Sequence, residues 1–412
     1  MADRTPLWRT RPTAFDIHPA TTVRHGAVND FIHVSEGTTN SYLVVTPAGR
    51  IVVNTGLGFE APVHKAYFDS VARGPVRYVV LTQGHVDHTG GVACFREPGT
   101  EVVAHERNPW QQADDLRVQP FLSRRAYFAW AAAIDGKRST GAPAPTPAEP
   151  TILVRDRTVI ELGGRRLEVI ACTGAETTDS LVVWLPAERI CITSNVFGAL
   201  FGHFPNLATI RGDRYRDPLP YADTLDVVRG IDAELLLVGH GGPIVGRETI
   251  HAELERMRAA VLHVHDAVVA AMNAGSDVWT AMREIRLPPD LEQGEGYGTV
   301  AWSVRAFWEM YAGWFHHHST TELYAVPPWT VHPELVALAG GPDAIAAAAR
   351  AKATSAPVEA IHLAEVALAA APSHRGALDA SLAAHRTLLA ASTNFWETRW
   401  LEHAIRSLEA RR

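Results

Sequence analysis

The segment "LTQGHVDHTGG", residues 81–91, brings His85, Asp87 and His88 into four consecutive positions, with Gln83 two residues ahead. Imidazole nitrogen and carboxylate oxygen at this density are the donors a divalent metal ion takes up. The chemistry they support is metal-assisted hydrolysis, in which an ion with an open coordination position lowers the pKa of bound water to roughly 7. Gln83 departs from the pattern, because a neutral amide oxygen is a weaker donor to zinc than imidazole. Two more ligand-type residues lie far away in the chain: Glu176 in "CTGAETTDS" and His240 in "LLLVGHGG". Each follows an apolar run at a glycine-containing turn, where a site at one edge of a pair of sheets draws its remaining ligands.

The elements that must position these residues are short apolar runs rich in β-branched side chains. From residue 30 to about 240 they include "SYLVV", "RIVVNTG", "VRYVVLTQ", "EVVAH", "LEVIA", "SLVVWLP", "ERICITS" and "ELLLVGHGG". Many strands with few intervening helices imply two sheets. "VRYVVLT" reads as a strand that delivers Gln83 and His85 to the same side, and Gly90 and Gly91 let the backbone pack closely as a helix begins. Residues 106–150 interrupt the rhythm with a helix around "FLSRRAYFAWAAAI" and then the Pro-rich "GAPAPTPAEP", read as an exposed loop. After His240 the spacing turns helical, and "RETIHAELERMRAAVLHVHDAVVAAMNAG" ends on Gly275 as a cap. The Ala-rich tail contains two helices joined by a Pro-containing turn, similar to a tetratricopeptide unit. Such a unit packs on its own chain or on a second copy.

Composition excludes several classes. The 412 residues are 47% hydrophobic, ample for more than one domain. A net charge of -7, with 38 basic and 45 acidic residues well mixed, leaves no basic stripe to track nucleic acid. The apolar runs are too short to span a membrane, and the N-terminus does not read as a signal peptide, so a cytoplasmic location is the expectation. Cys94, Cys172 and Cys191 form no CxxC pair; Cys172 and Cys191 are expected in the core. The run His316–His318 reads as a loop, since three consecutive histidines cannot face one ion from a regular element.

"LTQGHVDHTGG" resembles the THxHxDHxGG motif of the metallo-β-lactamase fold, and "NTG" at 54–56 resembles its aspartate-threonine-glycine turn. "NLATIRGDRYRDPLPYADTLD", "LPPDLEQGEGYGTVAWSVRAFWEMYAGWF" and "ALAGGPDAIAAAARA" resemble the alkyl sulfatase branch. The resemblance covers about residues 30–410 and lacks the branch's sterol-carrier-like C-terminal domain. It implies an α/β (α+β) chain: a four-layer αββα sandwich over 30–250 with an insertion at about 106–150, after an N-terminal extension over 1–29. An all-α dimerisation domain follows over 251–412, hence a homodimer acting on a small molecule.

The resemblance further implies two zinc ions and a metal-bound hydroxide that attacks a sulfate ester or related ester. Asp87, His88 and His240 match the ligands of one metal. His85 and Glu176 match two ligands of the other, where Gln83 replaces a histidine and is a weak ligand or none. Asp87 and His85 are the candidate catalytic residues. The bridging carboxylate falls at Ser194 or Asn195, neither an acid, so one or two zinc ions are expected, with manganese or iron an option in the weaker site. Asn206 and Arg211 match the sulfate-holding residues, and arginine's fork suits a tetrahedral oxyanion. Trp302 replaces a substrate-side histidine. These departures leave two alternatives open: a same-fold enzyme with a remodelled, mononuclear site and lyase or specialised-metabolism chemistry, or a non-catalytic dimeric scaffold.

Overall fold

The apolar runs form strands because their branched side chains pack well on a pleated surface buried on both faces. In the computed structural model, which describes residues 5–18, 24–139 and 146–412, they assemble into two sheets. The first follows chain order: β1 (Arg24–Ala27), β2 (Ile32–Glu36), β3 (Ser41–Thr46), β4 (Gly49–Val53), β5 (Val76–Val80), β6 (Glu101–His105) and β7 (Ile152–Val154). Its neighbours are antiparallel as far as β4 and parallel from β4 onward. The second comprises β8 (Arg157–Leu162), β9 (Arg165–Ala171), β10 (Leu181–Leu185), β11 (Ile190–Ser194), β12 (Leu235–Val238) and β13 (Ile244–Val245), in the spatial order β13-β12-β11-β10-β9-β8. Only β11 and β12 pair in parallel there.

Three buried clusters explain the layering. Ile51, Val53, Val80 and Val103 of the first sheet meet Leu167, Val169, Val183 and Ile192 of the second. The outer face of the first sheet packs on Phe68 of the helix Ala61–Val71 and on Phe95 of the short helix Val92–Phe95. The outer face of the second packs on Leu225, Leu254 and Phe307, from the helices Pro218–Ile231, Arg247–Asn273 and Val300–Ala312. The result is helix, sheet, sheet, helix, the four-layer sandwich that the resemblance implies.

Two compact units result, residues up to 310 and residues 311–412. The break falls later than the boundary at 250 drawn from the sequence. Helical spacing does begin near 247, but these helices bury their apolar stripe on the second sheet instead of starting a separate bundle. Helix Arg247–Asn273 stops before Gly275, which has φ 76°, a conformation glycine adopts without Cβ strain. The insertion is a helix, Asn108–Ser139, with Pro120 inside it and a non-helical Trp130. Part of the Pro-rich run at 141–150 lies outside the described residues.

The second unit contains the helices His332–Leu338, Pro342–Lys352, Pro357–Ala370, Arg375–Ala391 and Phe395–Glu409. Alanines form the contacts: Ala349, Ala364 and Ala380 in one layer, Ala353, Ala360 and Ala384 in the next. Small side chains there let the helix axes approach closely. His316–His318 lie in a loop whose His316 and His318 N–H groups donate to Glu322. No helix among the described residues is long and apolar enough to cross a membrane.

Candidate metal site

The 81–91 segment leaves its sheet earlier than the sequence suggests. β5 ends at Val80, and Gln83 lies in the loop that follows, with His85 capping the one-turn helix Val86–Thr89. The loop is pinned from both sheets, by Leu81 N–H donating to Val103 O and Leu181 N–H to Thr82 O. Gly91 is required by contact: a Cβ there would stand 2.4 Å from both Thr55 O and the Ala61 Cβ. That closeness lets Thr55 donate through N–H and Oγ1 to His88 O, both at 2.9 Å.

The fold brings Gln83, His85, Asp87, His88, Glu176 and His240 together. Gln83, 1% exposed, places its amide Nε2 3.0 Å from His85 Nδ1, 2.9 Å from His88 Nε2 and 3.1 Å from Glu176 Oε2. Behind His88 a buried network sets its tautomer. Thr82 Oγ1 donates to Asn54 Oδ1 at 3.0 Å, and Asn54 Nδ2 donates to Ser194 Oγ at 2.9 Å. With the Thr82 hydrogen committed, Thr82 Oγ1 accepts from His88 Nδ1–H at 3.2 Å, and Ser194 Oγ lies 3.4 Å from the same nitrogen. The lone pair of His88 is therefore on Nε2, facing the cluster.

Thr39 Oγ1 donates a short hydrogen bond to Asp87 Oδ2. Burial alone would raise the Asp87 pKa, but His88, His85, the Thr39 hydroxyl and His240 outweigh it and hold it at about 2. Burial lowers His88, against the pull of Asp87 and Glu176, and lowers His240 to about 4. Both imidazoles are thus neutral and Asp87 is ionised at neutral pH, the protonation states a metal ion requires.

The turn carrying His240 is held by the opposite sheet. Asn40 Nδ2 donates to Val238 O at 3.0 Å and to Gly241 O at 3.1 Å, and Tyr42 donates to Val238 O. Arg11 donates to His240 O at 3.3 Å and to Gly242 O at 2.9 Å. A cavity of about 580 Å³ opens beside His240, lined by Arg11, Arg24, Glu36 and Asn40 and by the apolar Leu200 and Phe201.

A group of charges surrounds Glu176. Glu176 is held below the usual carboxylate range: burial opposes this, and Arg216, His85 and the Gln83 amide prevail. Arg216, 7% exposed, sets Nη2 3.4 Å from Glu176 Oε1 and 3.5 Å from Asp213 Oδ2. Arg211 is 3.6 Å from Asp213, and Tyr297, Glu176 and Asp87 act on its charge. Asn206 is buried, with Oδ1 lacking a partner among the described residues and its carbonyl accepting from Arg216.

Sequence reasoning missed Arg216, Asp213, Tyr297 and Thr39. Arg216 and Asp213 stand in the same quoted stretch as Asn206 and Arg211, which was the available signal; Thr39 carried none. Trp302 sits half-buried in the first turn of Val300–Ala312 with its N–H on Thr299 Oγ1, and no contact identified among the described residues links its ring to the cluster. Asn195 lies against the His240 turn, where a Cβ on Gly239 would meet its Oδ1 at 1.8 Å.

Asp87 and His88 are spaced as two ligands of one ion would be. Asp87 Oδ2 and His88 Nε2 are 3.5 Å apart, close to the ~3.3 Å separating two tetrahedral ligands of one zinc. Among the described residues no three His, Cys, Asp or Glu groups converge closely enough to enclose an ion by themselves. The Gln83 amide stands within 3.1 Å of three of these groups, His85, His88 and Glu176.

Residues 34–240 match the metallo-beta-lactamase superfamily and residues 280–409 the alkyl sulfatase dimerisation family. A linear primary-alkylsulfatase from a Pseudomonas species is 30% identical over 74% of this chain and 62% of its own length. An (R)-specific secondary-alkylsulfatase, also from Pseudomonas, is 23% identical over 68% of this chain and 46% of its own. The chain thus spans less than two thirds of these relatives. A solved stereoselective inverting sec-alkylsulfatase from Pseudomonas superposes with a TM-score of 0.82 at 19% identity, covering 94% of this chain and 66% of that one, a likeness of fold. With its first half matched to one family and its helical end to another, the chain belongs to the metallo-beta-lactamase superfamily, carries an alkyl sulfatase dimerisation domain and is homologous to the alkylsulfatases.

Proposed function

We propose that this chain is a divalent-metal-dependent hydrolase of a sulfate ester, or a related ester, of an apolar substrate. The observation that carries the reading is the pairing of an ionised Asp87 with neutral His88 and His240 beside a half-buried Arg211 and the buried Arg216 and Asn206. Asp87, His88 and His240 would hold the ion, which supplies Lewis acidity and makes water acidic enough to react near neutral pH. Thr39 keeps Asp87 ionised and oriented, and the Asn54 network keeps the His88 lone pair turned inward. Arg211 and Asn206 bind the anionic head of the substrate, and Leu200 and Phe201 in the cavity beside His240 offer apolar surface to its chain. Zinc as the ion, a homodimer as the assembly and the cytoplasm as the setting complete the proposal. Dimerisation is supported by Trp314, Tyr324, Trp329 and Leu338, exposed large apolar side chains in the helical unit that a second copy would cover.

The test is metal content of the purified chain together with sulfate release from a long-chain alkyl sulfate. Metal-dependent release that Arg211→Met reduces at least tenfold is expected. A metal-loaded chain that releases no sulfate would refute the substrate class and favour the remodelled-site alternative.

A further inference from the structure

We infer that the chain fills its second metal position with its own side chains and therefore holds one ion per chain, not two. The inference rests on the proposed ion at Asp87, His88 and His240. The residues that would form the other position are Gln83, His85 and Glu176, and in the structure they engage one another and Arg216.

Gln83 Nε2 stands within 3.1 Å of His85 Nδ1, His88 Nε2 and Glu176 Oε2. A primary amide carries two hydrogens and here faces three acceptors. Once His88 Nε2 is given to the ion, the two hydrogens match the two remaining acceptors, His85 and Glu176. The amide nitrogen thus takes up the lone pairs that would otherwise bind a second cation.

Charge is balanced in the same way. Glu176 Oε2 accepts from Gln83, while Glu176 Oε1 faces the buried guanidinium of Arg216 at 3.4 Å. Arg216 is thus a fixed cation where a dication would otherwise neutralise Glu176. A second metal would have to displace the Gln83 N–H groups and sit beside Arg216, and both side chains are nearly enclosed, at 1% and 7% exposure. Positions 194 and 195, serine and asparagine, supply no negative charge to offset the repulsion between two ions.

The experiment is metal stoichiometry of the full chain, stripped with chelator, re-equilibrated with zinc and measured by plasma mass spectrometry and by calorimetric titration. Wild type is expected to take up one equivalent. Gln83→Leu, which removes both hydrogens but adds no ligand, is expected to keep that one. Gln83→His, alone or combined with Arg216→Leu, is expected to take up a second, with circular dichroism reporting that each variant is folded. Two equivalents in wild type, or loss of the single ion in Gln83→Leu, overturns the inference, as does one equivalent in both histidine variants. Failure of wild type to bind any ion removes this inference and the proposed function together, whereas one ion without sulfate release removes only the latter.

Discussion

Replacing Thr39 with valine removes one oxygen at nearly constant volume and tests whether the hydroxyl holds Asp87 as a metal ligand. Thr39 is fully buried and donates to Asp87 Oδ2, and valine supplies no donor in its place. A hydrogen bond to a charged group contributes about 1.5–3 kcal/mol, and each 1.4 kcal/mol is tenfold in an equilibrium constant. Complete transfer of that loss to metal binding would weaken affinity about 10- to 150-fold. The same bond exists in the metal-free protein, so part of the loss falls on folding stability and the expected change in metal Kd is about tenfold. This agrees with the effect of removing partners that orient metal ligands. Affinity is measured by competition with a chromophoric chelator, and stability by urea unfolding of the metal-free chain. Thr39→Ser should retain near-wild-type affinity because it keeps the donor. A folded Thr39→Val whose Kd moves less than twofold would refute the reasoning, since Asp87 would then be held by its histidine neighbours alone.

Two further predictions concern parts of the fold that support the site. His64 is fully buried, donates to or accepts from Ser35 Oγ at 2.7 Å, and burial lowers its pKa to about 4. Its unfolded value is near 6.5, so the unfolded chain takes up a proton between pH 6.5 and 4 that the native chain refuses. The stability this neutral histidine contributes is present above pH 6.5 and declines on acidification, by about 2 kcal/mol between pH 7 and 5. Urea unfolding of His64→Gln should show a pH dependence flatter by that amount, and an unchanged slope would count against the assignment. At Gly298 a Cβ would stand 2.2 Å from Pro205 O and 2.8 Å from the Asn206 Cα, so Gly298→Ala must shift the backbone that carries Asn206. Overpacking of this kind costs about 1–3 kcal/mol, and sulfate affinity measured by calorimetry should fall while metal stoichiometry stays at the wild-type value.

The sequence by itself determined the two sheets, the helical stretches and the ligand-type residues. Apolar β-branched runs, glycines at close approaches and helical spacing after His240 are local properties, and local propensity and global fold agree here. His85, Asp87 and His88 were legible because they are close neighbours in the chain, and Glu176 and His240 because each follows a strand at a glycine turn. The tertiary structure alone decided what these residues face. Thr39 lies 48 positions from Asp87 and Glu176 lies 93 from Gln83, and no spacing rule connects them. The role of Gln83 shows the difference most clearly. In sequence it is a weak ligand or none, whereas in the folded chain its amide has three acceptors within reach and Arg216 balances Glu176 beside it. Hydrogen-bond geometry and the pairing of buried charges depend on distances between segments remote in the chain, which is why only the fold could resolve them.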